Sequence, residues 1–223
     1  MNYISIIKNS QLFSGIESND IQSLIGCLSA KEKKFDKNEV IFHQGEAIDY
    51  MGLVLSGCVH IVKEDFWGNR TILSDITPSQ MFGESFACAN KQDLTVSAIA
   101  VEATTVLFLD IKRILTTCSS TCLFHAHLIR NLISVLAGKN LMLTGKIEHI
   151  TKRSTQEKLL SYLSAESIKA GSAMFEIPFN RQQLAEYLAV DRSAMSIELS
   201  RLQKEGFLTY HKNIFHLKEH FTN

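Results

Sequence analysis

The stretch that decides the fold runs over 180–202 and reads NRQQLAEYLAVDRSAMSIELSRL. Asn180 can cap a short helix, and Asp191 can cap a second helix after a turn at Ala189-Val190. Ala185 is small, as it must be where the second helix crosses close above the first. The apolar side chains that would face inward recur at helical spacing in both helices: Leu184, Ala185, Leu188, Met195, Leu199 and Leu202. The stretch predicts a helix-turn-helix.

The chemistry around this motif favours a nucleic-acid interface. The outer face of the second helix would carry short polar groups and one guanidinium, which suits the reading of base edges in a major groove. The N-terminal amides of the first helix, with Arg181, are placed to meet a phosphate. Beyond Gly206, two alternating runs flank Lys212 and predict a β-hairpin wing with this lysine at its tip. The alternative is a helix pair used only for packing. The residues expected to contact DNA are Asn180, Arg181, Asp191, Arg192, Ser193, Ser196, Ile197, Ser200 and Lys212.

The composition is that of a folded protein with no global charge bias. Among 223 residues, 45% are hydrophobic and 21% charged, and 23 basic residues balance 23 acidic ones. This balance excludes a polycation and an acidic tail. No apolar stretch is long enough to span a membrane, and the N-terminus lacks the features of a secretory signal. The five scattered cysteines suit reduced thiols. We therefore expect a cytoplasmic protein with no membrane partner.

In the first half of the chain, the residue pattern changes from helical to β-rich at about residue 33. Residues 1–30 carry apolar side chains at helical spacing. From about 33 to 110, short β-rich runs alternate with glycine-containing turns, which is typical of a sandwich or jelly roll. The clearest runs are Val40–Phe42, Met51–Leu55, Cys58–Val62, Thr71–Ile76 and Val106–Leu109.

Residues 129–150 carry the most regular periodicity of the sequence, with apolar residues at alternating steps of four and three. This heptad pattern predicts a dimer seam, and a buried Asn140 would be best satisfied by its own copy in a parallel, in-register pair. The alternative is one amphipathic helix packed on its own domain. A second stripe of Leu128, Leu132, Val135 and Met142 would let the helix also contact the β domain. The seam consists of Ile129, Ile133, Leu136, Asn140, Leu143, Ile147 and Ile150.

The whole chain resembles the Crp/Fnr family of bacterial transcription regulators. Three stretches carry the resemblance: 42–57 with its FHQGE and LSG motifs, Phe82-Gly83-Glu84, and 184–206. It implies an α+β protein with an N-terminal double-stranded β-helix or jelly-roll of the cyclic nucleotide-binding type. A long dimerisation helix and a C-terminal winged helix-turn-helix domain follow. The expected divisions are 1–118 for the effector-sensing β-roll, 119–150 for the dimerisation helix and 151–223 for the DNA-binding domain.

In the family, an effector in the β-roll reorients the DNA-binding domains. Members that bind cyclic AMP follow the Gly-Glu pair with an arginine and a small hydroxyl residue that grip the cyclic phosphate. Here Thr95 fits the hydroxyl, but Leu94 stands at the arginine position and cannot make a charge-assisted bond. We therefore expect an effector other than cyclic AMP. The expected pocket comprises Gly83, Glu84, Ser85, Leu94, Thr95, Met142 and Leu143.

The sequence gives little indication of the other cofactors that members of the family bind. The iron–sulfur branch carries an N-terminal cysteine cluster, whereas the first cysteine of this sequence is Cys27. Cys118 and Cys122 are four residues apart and leave a metal, cluster or thiol switch open, although buried apolar thiols are commoner. His125 and His127 could ligate a haem iron, but surface histidines of a helix are the commoner case. We expect no bound metal, and the cofactor stays unknown.

Together these features predict a homodimeric, effector-responsive transcription regulator. Its partners would be a palindromic DNA site, its own copy, RNA polymerase and a small-molecule effector. Because Ser193 and Ile197 depart from the family's base-reading pattern, no known operator sequence can be assumed. The alternative is a dimeric sensory or scaffold protein with a vestigial helix-turn-helix, which the charge of only +2 over 151–223 would suit. No nucleophile–base arrangement or phosphate loop is present, so we do not expect an enzyme.

Overall fold

A computed structural model of the chain describes residues 3–89, 92–116 and 123–218. The chain divides into two compact units, residues 1–137 and 138–223, and the border falls inside one long helix. The division of the sequence into three segments, with borders at 118 and 150, stays a prediction.

The N-terminal unit combines two four-stranded antiparallel sheets with short helices. Its helices are α1 Ile4–Lys8, α2 Ser18–Cys27, α3 Glu84–Cys88 and α4 Ile111–Leu115, followed by the first part of α5 Leu123–Ile150. Its strands are β1 Lys31–Phe35, β2 Val40–Phe42, β3 Tyr50–Ser56, β4 Val59–Glu64, β5 Arg70–Ile76, β6 Met81–Phe82, β7 Ser97–Ala100 and β8 Thr104–Asp110.

The two sheets enclose an apolar core, as the jelly-roll prediction requires. One sheet has the strand order β1-β8-β3-β6 and the other β2-β7-β4-β5. Phe42 and Val59 from the second sheet and Val54, Phe82 and Val106 from the first belong to one buried cluster. Gly52 carries no side chain where β3 passes the Phe82 ring, because a Cβ there would lie 2.4 Å from that ring.

The outer face of the first sheet is covered by helices. Because side chains alternate along a strand, the neighbours of the inward-facing residues point the other way. Leu53 and Leu55 of β3 and Leu107 and Leu109 of β8 belong to a second buried cluster, together with residues of α1, α2 and α5. The helical N-terminal segment predicted from the sequence therefore exists, as two helices around a short 3₁₀ turn at Gln11–Phe13.

The early part of α5 contributes one face to that cluster. Leu128, Leu132 and Val135 are buried, which confirms three members of the second apolar stripe. Met142, the fourth member, is exposed. Asn131 donates from Nδ2 to the carbonyl oxygens of Leu12 and Ser14, at 2.8 and 2.9 Å.

The C-terminal unit consists of the rest of α5 and a winged helix-turn-helix. Its core gathers apolar residues from every helix after α5, with Leu163, Leu188 and Phe215 fully buried. The elements of this unit after α5 are α6 Thr155–Ala170, β9 Met174–Glu176, α7 Arg181–Leu188, α8 Arg192–Lys204, β10 Leu208–His211 and β11 Ile214–Leu217, with the sheet order β10-β11-β9. Helix α6 begins at a capping box between Ser154 and Glu157. Over the described ranges, no helix combines the length and apolarity needed to cross a membrane.

Candidate nucleic-acid interface and effector site

Both helices of the helix-turn-helix begin at the predicted caps. Asn180 Oδ1 accepts from the Gln183 amide at 2.9 Å, and Gln183 Oε1 accepts from the Asn180 amide at 2.9 Å, which completes a capping box. Asp191 Oδ1 accepts from the Ala194 amide at 2.8 Å at the start of α8. The capping roles are confirmed, whereas DNA contacts by Asn180 and Asp191 stay predictions.

The predicted inner face is buried in full. Ala185 lies in the core where α7 contacts α8, and Leu184, Leu188, Met195, Leu199 and Leu202 surround it. The turn between the helices passes through Ala189, whose φ of 51° lies in the left-handed region. Lys158 Nζ lies 3.4 Å from the carbonyl oxygens of Leu188 and Ala189 and so neutralises the C-terminal end of α7. No pattern in the sequence points to this contact, because Lys158 lies 30 residues from Leu188.

The outer face of α8 is open to solvent. Arg192, Ser193 and Ser200 are exposed, and Ile197 is 71% exposed. The hydroxyl of Ser196 donates to the carbonyl of Arg192, and that of Ser200 to the carbonyl of Ser196, so both serines form bonds along the helix. The predicted arrangement of short polar groups led by one guanidinium is therefore present as a surface.

Arg201 ties this helix to α6, a contact that sequence reasoning did not foresee. Its Nη2 donates to Gln156 Oε1 at 2.9 Å and to Glu198 Oε1 at 2.6 Å. Glu205 also lies 3.8 Å from the guanidinium. The exposed face of α8 is therefore oriented by a polar link as well as by the core.

The wing is a hairpin of β10 and β11, as predicted, with Lys212 exposed in its turn. Arg181, by contrast, is turned to the wing. Its Nη2 donates to the Lys212 carbonyl oxygen at 2.7 Å, and its guanidinium lies over the rings of Tyr210 and Phe215. A phosphate contact by Arg181 stays a prediction that has to account for these partners.

A buried histidine connects the end of α5 to α6. His149 Nδ1 lies 2.9 Å from Ser161 Oγ, and its ring meets Tyr162 edge-on at a centroid distance of 5.7 Å. Burial lowers the pKa of His149 and raises the pKa values of Tyr162 and Tyr187. This group was also missed, because an isolated histidine in a helical pattern gives no sign of its partners.

Part of the predicted effector pocket comes together in the β-roll. Gly83, with a φ of 78°, precedes α3, whose first residue Glu84 is buried. A Cβ on Gly83 would lie 3.1 Å from the Phe42 ring. Leu94 is only 4% exposed and belongs to the cluster of Phe42 and Phe82. The position expected to grip a phosphate is therefore apolar and buried, and the other two predicted pocket residues, Ser85 and Thr95, are exposed.

Backbone hydrogen bonds pair Leu94 with the turn at Gly45-Glu46. The Leu94 amide donates to the Glu46 carbonyl at 2.8 Å, and the Gly45 amide donates to the Leu94 carbonyl at 2.7 Å. Met142 and Leu143, the remaining predicted pocket residues, lie in the C-terminal unit, where both side chains are exposed. Their part in the pocket stays a prediction.

The predicted dimer seam is largely exposed along α5. Ile133, Leu143 and Ile147 are exposed apolar side chains, and Asn140 is exposed with them. Ile129 and Ile150 are half-buried, and Leu136 packs partly against the core of the N-terminal unit. Among the described residues, the single chain thus leaves Ile133, Leu143 and Ile147 of this seam open to solvent.

The titratable groups considered for metal or redox roles are spread out. Burial raises the pKa values of the Cys58 and Cys88 thiols, which disfavours the reactive thiolate. His125 is buried and His127 exposed. Cys118 and Cys122 lie outside the described residues. Within those residues, no three His, Cys, Asp or Glu side chains are grouped as a metal site would need.

Two family descriptions match separate parts of the chain. Residues 32–121 match the cyclic nucleotide-binding domain, and residues 157–219 match the Crp-like helix-turn-helix domain. The Cyclic AMP receptor protein of Thermus thermophilus is 27% identical over 103 residues. This match spans 46% of this chain and 46% of the relative, which is less than half the relative's length.

Solved structures show the same fold. The Catabolite Activator Protein of Thermus thermophilus has a TM-score of 0.51 at 22% identity, with 94% of each chain covered. The c-di-GMP responsive global regulator CLP of Xanthomonas campestris has a TM-score of 0.53 at 17% identity, covering 92% of this chain and 100% of that one. With a cyclic nucleotide-binding domain followed by a Crp-like helix-turn-helix domain, the chain belongs to the Crp/Fnr family of transcription regulators.

Proposed function

We propose that this chain is a homodimeric, cytoplasmic, sequence-specific DNA-binding regulator controlled by an effector in its β-roll. The observation that carries the proposal is the outer face of α8. The inner side of this helix is fully buried, while Arg192, Ser193 and Ile197 face solvent, and the wing residue Lys212 is exposed as well. Arg192 would read a guanine or clamp a phosphate, and Ile197 would contact a thymine methyl group.

The experiment is an unbiased selection of operator sequences followed by fluorescence anisotropy at several salt concentrations. We expect the logarithm of affinity to fall linearly with the logarithm of salt concentration, because phosphate contacts release counterions. Arg192→Ala should cost about 1–3 kcal/mol of affinity if it contacts a guanine. Lys204→Ala, at the other end of α8, serves as the matched control. Absence of specific binding by the wild type would contradict the proposal and favour the sensory or scaffold alternative.

Two-fold symmetry would determine the form of the operator. The exposed seam on α5 favours a parallel pair of chains, which presents two α8 helices to one duplex. Half-sites about 34–36 Å apart, one turn of the duplex, would follow. RNA polymerase would be a further partner of the bound dimer. An operator without a repeated half-site would contradict the symmetric arrangement.

We infer that the effector is not cyclic AMP. The relative named for cyclic AMP and the regulator described as responsive to c-di-GMP share the fold, yet Leu94 here fills an apolar position with Phe42 and Phe82. A leucine forgoes the charge-assisted bonds to a phosphate, each worth about 1.5–3 kcal/mol. Titration calorimetry with cyclic AMP should therefore detect no micromolar binding. A micromolar dissociation constant would overturn this inference.

A further inference from the structure

Arg181 connects the first helix of the helix-turn-helix to the wing. Its Nη2 donates to the carbonyl oxygen of Lys212 at 2.7 Å. The guanidinium carbon lies 4.7 Å from the centre of the Tyr210 ring and 5.0 Å from that of the Phe215 ring. A planar cation stacked on two aromatic faces and bonded to a carbonyl is engaged on three sides.

The surface under this guanidinium is formed by packed aromatic rings. Tyr210 and Phe215 are partners in the register of the wing hairpin, and their rings are stacked with centroids 5.8 Å apart. Phe215 is fully buried in the core of the C-terminal unit and also stacks on Phe175. Burial lowers the pKa of the Arg181 guanidinium from its ordinary value, although arginine stays charged in proteins. Arg181 therefore acts as a fixed cationic donor within the unit.

The wing turn is held from its other side by a separate set of bonds. Asn213 donates from Nδ2 to Glu176 Oε1 at 2.7 Å and to the Ile177 carbonyl at 3.2 Å. The Ile177 amide donates to the Asn213 carbonyl at 3.0 Å. Lys212 has a φ of 54°, in the left-handed region that a lysine seldom adopts. The wing turn is thus bonded both by Arg181, at the strained residue Lys212, and by residues at the end of β9, at Asn213.

We propose that Arg181 is a positioning residue of the wing: by holding the Lys212 backbone, it presents the Lys212 ammonium group to a DNA phosphate instead of binding a phosphate itself. The proposal rests on the proposed DNA-binding function. An exposed lysine loses less entropy on binding when its backbone is already ordered. The hydrogen bond from Arg181 to the Lys212 carbonyl would therefore strengthen the contact between Lys212 and the DNA.

The first test needs no DNA. Hydrogen exchange of the full chain is measured for wild type, Arg181→Met and the exposed control Lys204→Met. In Arg181→Met, the amides of 208–217 should exchange at least about tenfold faster, as expected for the loss of one charge-assisted hydrogen bond, with α8 unchanged. Unchanged exchange of the wing would overturn the proposal. Arg181→Gln, neutral but polar, replaces the Met variant if the latter fails to fold.

The second test is a double-mutant cycle on the salt dependence of DNA binding. Lys212→Ala should reduce the slope of log affinity against log salt by about 0.9, the value for one phosphate contact. Arg181→Met should reduce it by no more than that amount, because a less ordered Lys212 makes the same contact less often, and the double variant should show no reduction beyond that of Lys212→Ala. Two reductions that add to about 1.8 would mean that Arg181 binds its own phosphate, which overturns the proposal.

The two tests separate the proposal from the function on which it rests. A wild-type protein that binds no DNA would refute the proposed function, and the exchange experiment would still decide whether Arg181 holds the wing. Lys204→Met should change neither the exchange of the wing nor the salt slope. A control variant with the same loss of slope would refute the specific role of Arg181.

Discussion

His149, in the last turn of α5, is a histidine whose burial opposes its protonation. It is 6% exposed, and its edge contact with the Tyr162 ring leaves little access to water. Burial lowers its pKa more than the nearby carboxylates of Glu148 and Glu166 raise it, and Lys152 lowers it further. The neutral imidazole is therefore the form that the folded C-terminal unit accepts.

We predict that this unit loses stability in acid because of His149. The unfolded chain binds a proton near pH 6.5, whereas the folded chain does so only at a lower pH. Stability contributed by the neutral ring is therefore complete above about pH 6.5 and falls as the pH drops toward the lowered folded pKa. Chemical denaturation between pH 7.5 and 5 should show a steeper loss for wild type than for His149→Gln. The same slope in both proteins, or a change with exposed His216→Gln, would contradict this assignment.

Which residues can be predicted from a sequence depends on how far away their partners lie. The caps Asn180 and Asp191 were predictable because each bonds an amide only three residues ahead. Arg181 and His149 were not, because their partners lie 31 and 12 residues away and no periodicity signals such contacts. A lone arginine before an apolar helix has the same local pattern whether it meets a phosphate or a wing.

At the scale of elements, Asp191 combines a cap that stabilises α8 with a negative charge near the proposed DNA surface. Asp191→Ala should lower the free energy of unfolding by about 1 kcal/mol relative to Asp191→Asn, since asparagine caps as well as aspartate. Asp191→Asn should also tighten DNA binding, because it removes a charge that repels phosphates. Urea denaturation and anisotropy measure the two effects. Equal stability of both variants would show that the cap bond contributes nothing.

Helix α5 contains Gly138 and Gly145, which have no packing reason to be glycine. A Cβ at either position would meet nothing within 4 Å among the described residues, and neither backbone has a positive φ. Gly138→Ala should therefore raise the free energy of unfolding by about 0.5–1 kcal/mol, followed by circular dichroism in urea. The reverse change at the exposed neighbour, Ala137→Gly, should lower it by a similar amount. No effect of either change would mean that the helix is not continuous there.

The strands were predictable where the run is rich in β-branched and other apolar residues. Val40–Phe42 was expected with the observed bounds, and the runs at β3, β4, β5 and β8 lie within two residues of the observed strands. Strand β1, Lys31–Phe35, escaped notice because it is an edge strand with four exposed charged residues out of five. Such charges protect a sheet edge and at the same time erase its hydrophobic alternation.

At the scale of the whole molecule, the exposed seam occurs in both compact units. Ile133 belongs to the N-terminal unit, and Leu143 and Ile147 belong to the C-terminal unit, yet all three keep one heptad register. Apolar residues on a helix are ordinarily covered by the chain's own core. Because these exposed residues share one register, we expect a second copy of the chain to cover them. The border between units was not predictable, because the heptad pattern continues across it.

The seam can be tested with two leucines that differ only in register. Leu143 occupies a seam position and is 54% exposed, whereas Leu141 is 72% exposed and lies off the seam on the same helix. Leu143→Glu should place two like charges against each other in a dimer and convert it to monomer at micromolar concentration, while Leu141→Glu should leave the dimer intact. Both variants replace a leucine of α5 by glutamate, so their intrinsic helix propensity changes by the same amount. A difference between them in sedimentation velocity ultracentrifugation therefore reports the position of the leucine relative to the seam. A dimer that survives Leu143→Glu, or a wild type that sediments as a monomer, would refute the seam and with it the paired presentation of α8.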